Sequence, residues 1–118
     1  MTQEDKELLL KDLCARLPYG VKIQVPYEDG SGYFDETVWE VNNEGPFHVN
    51  GWGIEYEYVK PYLFPLSSIT KKTLEELSAY IDIKNAYVAV EFFNSHHIDY
   101  RGLIEKGLAI DATGLNIY

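Results

Sequence analysis

His96, His97 and Asp99 form the one dense cluster of potential proton carriers or metal ligands in the chain. A metal site on a helix prefers ligands at i and i+4, which share a face. Adjacent histidines diverge by about 100° on a helix, and no third ligand has diagnostic spacing. The alternative for this cluster is the polar end of a helix, where histidine is common. A small hydrolase or metal enzyme would require all three side chains to converge in a cleft. Cys14 is the single cysteine. It rules out an internal disulfide and a Cys-based zinc site. It falls on the expected apolar face of the first helix, near its C-terminal end, and reads as a small core residue rather than a nucleophile. Ser67 and Ser68 lack a nucleophile-elbow context. Gly30-Ser31-Gly32 and Gly51-Trp52-Gly53 precede no helix and no phosphate-loop lysine, so they read as turns. No catalytic residue, metal ligand or cofactor is assigned.

Two further groups are candidates. Arg16 and Arg101 are the only arginines. Each is either half of a structural ion pair locking the helical part to the strands, or an anion contact. Arg101 follows Tyr100, which continues an apolar stripe and should point inward, so Arg101 should reach a carboxylate of the acidic first half. Aromatics are plentiful, with ten Tyr, five Phe and two Trp. Trp52 in a turn, Tyr58 at a strand end, and Tyr62 and Phe64 on a connector either pack plainly in the core, as most aromatics here must, or have the composition of a protein contact patch.

The elements that must position these residues follow from periodicity. Thr2 and Asp5 resemble a capping box. Leu10, Leu13, Cys14 and Leu17 recur at i, i+3, i+4 and i+7, so a helix is expected from Gln3 to Arg16, ended by Pro18. From Val21 the period becomes two: Val21, Ile23, Val25 and Tyr27 alternate with polar residues and Pro26. Further strands are expected over 33–41, around Phe47 and Val49, and over 54–58, the last after the hairpin signal Asn50-Gly51. Pro61 and Pro65 make 60–65 an extended connector that cannot be a central strand. Thr70 is a plausible cap for a helix carrying Leu74, Leu77 and Ile81. Residues 85–97 could be helix or buried strand; Ala89, Phe92, Phe93, His96 and Tyr100 favour a helix. Residues 103–106 suggest one helical turn ended by Gly107. The tail, 108–118, should lie on the surface or add an edge strand. The expected fold is α+β: an N-terminal helix, a four-stranded antiparallel meander that could close like a barrel, two C-terminal helices and a short tail.

At 118 residues the chain fits one domain over 1–118. Its composition, 46% apolar and 25% charged, is globular. The net charge of -9 excludes a generic phosphate-backbone binder. Residues 1–60 hold 5 basic and 12 acidic side chains and residues 61–118 hold 5 and 7, so the acidity belongs to the first helix and the strands. The longest apolar run, 86–90, is far short of a membrane span. Met1-Thr2-Gln3-Glu4-Asp5-Lys6 is acidic and without an apolar run, so it does not read as a secretory signal, and none is expected. A cytoplasmic protein that touches neither membrane nor nucleic acid directly is expected.

Three stretches together carry a family resemblance: Arg16-Leu17-Pro18-Tyr19-Gly20-Val21-Lys22, Lys60-Pro61-Tyr62-Leu63-Phe64-Pro65-Leu66-Ser67-Ser68, and His97-Ile98-Asp99-Tyr100-Arg101-Gly102-Leu103-Ile104 through Leu108-Ala109. The chain resembles small uncharacterised proteins encoded by gut Bacteroidetes genomes and their prophages. That family has no established activity, and its members often carry Arg where this chain has Phe64. The resemblance implies an intracellular bacterial or phage setting. The expected function is a non-enzymatic module that binds another protein. The alternatives are an acidic nucleic-acid mimic that blocks a DNA-binding protein, and the small hydrolase or metal enzyme using His96, His97 and Asp99.

Overall fold

The computed structural model describes residues 2–27, 29–38, 40–41, 46–47, 58–69, 75 and 86–118. Helix α1 spans Gln3–Arg16, and the Thr2 side chain accepts the Asp5 N–H at 3.1 Å. That cap satisfies one of the free N–H groups of the first turn, where Glu4 and Asp5 also suit the helix dipole. The buried face consists of Leu9, Asp12, Leu13 and Arg16. It is rotated by one position from the expected stripe, and Cys14 is exposed rather than in the core. The cause is a charged pair: Asp12 and Arg16 occupy the inward positions that a pattern of apolar residues would leave to solvent. A 3-10 turn, Leu17–Tyr19, with Pro18 inside it, ends at Gly20, whose φ of +69° is a left-handed conformation suited to glycine.

Strands β1 (Lys22–Pro26) and β2 (Tyr33–Thr37) form an antiparallel hairpin, Lys22 opposite Thr37 and Pro26 opposite Tyr33. Two short strands, β3 (Glu40–Val41) and β4 (Pro46–Phe47), pair separately. Strand β5 (Lys60–Pro65) pairs antiparallel with β1, Ile23 opposite Pro61. Helix α2 covers Ala86–Ser95. Strands β6 (Ile98–Asp99) and β7 (Ile110–Asp111) both run parallel to β5.

Among the described residues the result is α+β with a mixed, open sheet of five strands: the expected antiparallel pairing holds for β2, β1 and β5, while β6 and β7 run parallel to β5 and no barrel closes. The largest revision is β5, expected as a connector and found at the centre of the sheet. Donor direction explains it. Phe64 N–H donates to the His97 carbonyl at 2.8 Å on the β6 side, while Leu63 C=O accepts from Ala112 N–H at 2.8 Å on the β7 side. Backbone groups alternate along a strand, so the nitrogens of Pro61 and Pro65 face the β7 edge. There β7 pairs only with Tyr62 and Leu63, and no ladder bond is forfeited. The same alternation places β1 and β6 end to end along the other edge of β5.

The core gathers Leu9 and Leu13 of α1, Val21, Ile23, Val25, Val38, Val59, Leu63, Leu103 and Leu108. Residues 86–95 are helical, which decides between the two readings of that segment. The tail adds β7 to the sheet. Residues 103–107 form a hydrogen-bonded turn, with Gly107 at φ +75°. The expected strand over 54–58, apart from Tyr58, and the expected helix after Thr70, apart from Glu75, lie outside the described residues.

Candidate functional site

The strongest concentration of buried polar groups is built on Asp12, which a helical spacing of four pairs with Arg16. Arg16 Nε and Nη2 donate to the two Asp12 carboxylate oxygens at 2.9 and 3.1 Å, with neither side chain exposed. The same guanidinium donates to the carbonyls of Phe93 at the end of α2 and Ile98 of β6. Arg101, 15% exposed, donates from Nη1 to Asp12 Oδ1 at 2.7 Å. The Tyr100 ring centroid lies 5.4 Å from the Arg16 guanidinium carbon and 4.4 Å from that of Arg101. Tyr100 hydroxyl in turn donates to Asn94. The Asp12–Arg16 pair therefore ties α1 to α2 and β6 through the guanidinium, and to the turn beyond β6 through the carboxylate. Sequence reading singled out both arginines and missed Asp12, although the Asp-x-x-x-Arg spacing was there to find it.

His96, His97 and Asp99 do not converge. Asp99 spends both carboxylate oxygens on the N–H groups of Leu103 and Ile104, at 3.0 and 2.9 Å, as a cap for that turn. His96 is exposed, stacks on Phe92 with centroids 4.1 Å apart, and holds its Nδ1 2.9 Å from the Phe92 carbonyl. His97 is buried in the left-handed region at φ +57°, and its Nδ1 has no hydrogen-bond partner. Burial, followed by the positive charge of Arg16 and then His96, pushes its pKa down to about 4. Among the described residues no three His, Cys, Asp or Glu side chains are grouped to hold a metal ion.

Three of the four aromatics expected to form a contact patch lie among the described residues. Trp52 lies outside the described residues. Tyr58 is 56% exposed, but Tyr62 is 4% exposed and cannot offer its ring to a partner. Its hydroxyl donates to Asp35 at 2.5 Å and accepts from Gln24 at 3.2 Å. Burial and the Asp35 hydrogen bond push its pKa up to about 12. Phe64 is half-buried against Tyr118, with ring centroids 6.0 Å apart. Among the described residues, two further exposed tyrosines lie at the far end of the β1–β2 hairpin, Tyr27 at 48% and Tyr33 at 65%. Tyr27 rests on Phe34 with centroids 5.1 Å apart and donates its N–H to Gly32 C=O at 2.9 Å, so the backbone holds it in place. Gly30 and Gly32 form the turn there.

The described residues thus supply an ion-paired junction and a tyrosine-bearing hairpin end. Ser95 Oγ lies 3.1 Å from His96 Nδ1, and both atoms also reach the Phe92 carbonyl. No helix among the described residues is long and apolar enough to cross a membrane. Comparison with protein-family models, with curated proteins and with solved structures finds no match for this chain.

Proposed function

We propose that the protein is a non-enzymatic interaction module that binds another protein through the end of its β1–β2 hairpin, in the bacterial or phage setting its motifs suggest. The observation that carries this reading is the exposure of Tyr27 and Tyr33 on a hairpin whose backbone is fixed by the strand pairing. Exposed tyrosines held in place bury large area on binding and lose little conformational freedom, which is why they are enriched at contact hot spots. Asp29 and Asp35 on the same hairpin, in a chain of net charge -9, call for a partner that presents Lys or Arg beside apolar groups. The engagement of Asp99 with backbone N–H groups counts against the hydrolase alternative.

The test is affinity capture from extracts of the source cells. Wild type, Tyr27→Ser/Tyr33→Ser and Tyr58→Ser are compared, each first shown to melt cooperatively. A protein retained by wild type and Tyr58→Ser and lost with the double variant is expected. An identical captured set with the double variant overturns the hairpin as the binding surface.

A further inference from the structure

The end-to-end arrangement of β1 and β6 along β5 leaves a break in the ladder, and Tyr118 fills it. The antiparallel register that puts Gln24 opposite Lys60 and Ile23 opposite Pro61 would put Lys22 opposite Tyr62. The direct bond between them is replaced. Tyr118 hydroxyl accepts the Lys22 N–H at 2.9 Å and donates to the Tyr62 carbonyl at 2.8 Å. Its ring stacks on His97 with centroids 3.7 Å apart and planes 11° from parallel, and Phe64 flanks it. A phenol thus meets a donor, an acceptor and a flat face at once, the combination that identifies an aromatic ring bearing a hydroxyl.

We propose that this slot is a recognition site for a para-substituted phenol, occupied in cis by Tyr118 and able to exchange it for a tyrosine side chain of a partner polypeptide. The tail that delivers Tyr118 runs along the surface, bonded locally by Thr113 N–H to Asp111 and Leu115 N–H to the Ala112 carbonyl, and Tyr118 is itself 43% exposed. Residues 113–116 are all exposed, and the anchoring beyond them comes from Tyr118 and from Lys22 Nζ, which donates to the Ile117 carbonyl at 2.8 Å. A segment with few buried contacts opens without unfolding the rest. Departure of Tyr118 would also uncover one face of His97, whose buried Nδ1 lacks a partner while the slot is closed.

The experiment uses Tyr118→Ala with p-cresol as probe and toluene as control. p-Cresol should raise the melting temperature of the variant saturably, well beyond its effect on wild type, and toluene should not. Equal stabilisation of variant and wild type, or equal effects of toluene and p-cresol, overturns the recognition of a phenol. Exchangeability is read separately in wild type by amide hydrogen exchange. The Lys22 amide should exchange about tenfold faster than that of Val25, through local opening of the tail. Equal rates would mean that Tyr118 leaves only on global unfolding, and would overturn the exchange. If Tyr118→Ala does not fold, Tyr118→Phe decides the matter. It keeps the ring and removes the bridge, so Lys22 exchange should accelerate about tenfold over wild type, and an unchanged rate overturns the proposal.

Discussion

Arg101 donates to Asp12 across 89 residues of sequence, on a carboxylate that Arg16 already holds from one turn along the same helix. The two arginines are therefore unequal. Arg16 is wholly buried and also satisfies two backbone carbonyls, whereas Arg101 makes one bond and retains some exposure.

This inequality sets an order of stabilities. Arg16→Met should strand the Asp12 charge and two carbonyls, and cost about 3–5 kcal/mol. Arg101→Ala leaves Asp12 with Arg16 and should cost less, about 1–3 kcal/mol. Arg101→Lys should recover only part of that, because an ammonium does not reproduce the planar guanidinium over Tyr100. Urea unfolding of the three variants checks the ranking. An Arg101→Ala variant as unstable as Arg16→Met would refute it.

Acid should destabilise the protein through His97. Its pKa in the folded chain lies near 4, below the ordinary 6.5, so the unfolded chain binds the proton more readily. Stability is therefore retained above pH 6.5 and falls as pH drops from there toward 4. His97→Asn suits the left-handed backbone and does not titrate, so it should flatten this part of the stability–pH curve. A curve with the same slope in variant and wild type would assign the acid sensitivity elsewhere.

Alkali should act through Tyr62 and Tyr118, whose pKa values are both pushed up to about 12 by burial, with the Asp35 hydrogen bond adding to the effect at Tyr62. The folded form holds these protons more tightly than the unfolded form. The associated stability is complete below pH 10 and is lost as pH rises through about 12. In a phenolate absorbance titration of the ten tyrosines, a late component should appear and should shrink in Tyr62→Phe. A single transition at the ordinary tyrosine value would contradict this.

Asp99 caps the turn beyond β6 with both oxygens. Asp99→Ala should cost about 1–2 kcal/mol, and Asp99→Asn, which keeps one acceptor, should cost less. Thermal melts give the comparison. Equal losses for the two variants would show that the cap contributes little.

Cys14 should be alkylated by iodoacetamide in the folded protein without a change in melting temperature, since its side chain is exposed on α1. Protection of the thiol until unfolding would return it to the core.

Local signals in the sequence determined the local structure. The Thr2 cap and Pro18 bounded α1, alternation from Val21 marked β1, and the stripe through Phe92 and Phe93 favoured the helix that forms there. Each depends on neighbours within a turn or a strand, so spacing suffices to reveal it. The arginines were conspicuous by rarity, and Arg101 reaches the Asp12 carboxylate. What the fold alone decided are properties of distant segments. Proline is excluded from a central strand only where its missing N–H would face a partner, and which edge of β5 carries partners depends on β6 and β7, more than thirty residues further along the chain. Hydrophobic periodicity turned α1 by one position because a charge is read as solvent-facing unless its partner is known. The carbonyls and the second arginine that make Asp12 and Arg16 tolerable inside come from α2, β6 and the turn beyond. Tyr118 carries no signal in sequence at all: its role arises from a gap between two strands that exists only once the sheet is assembled.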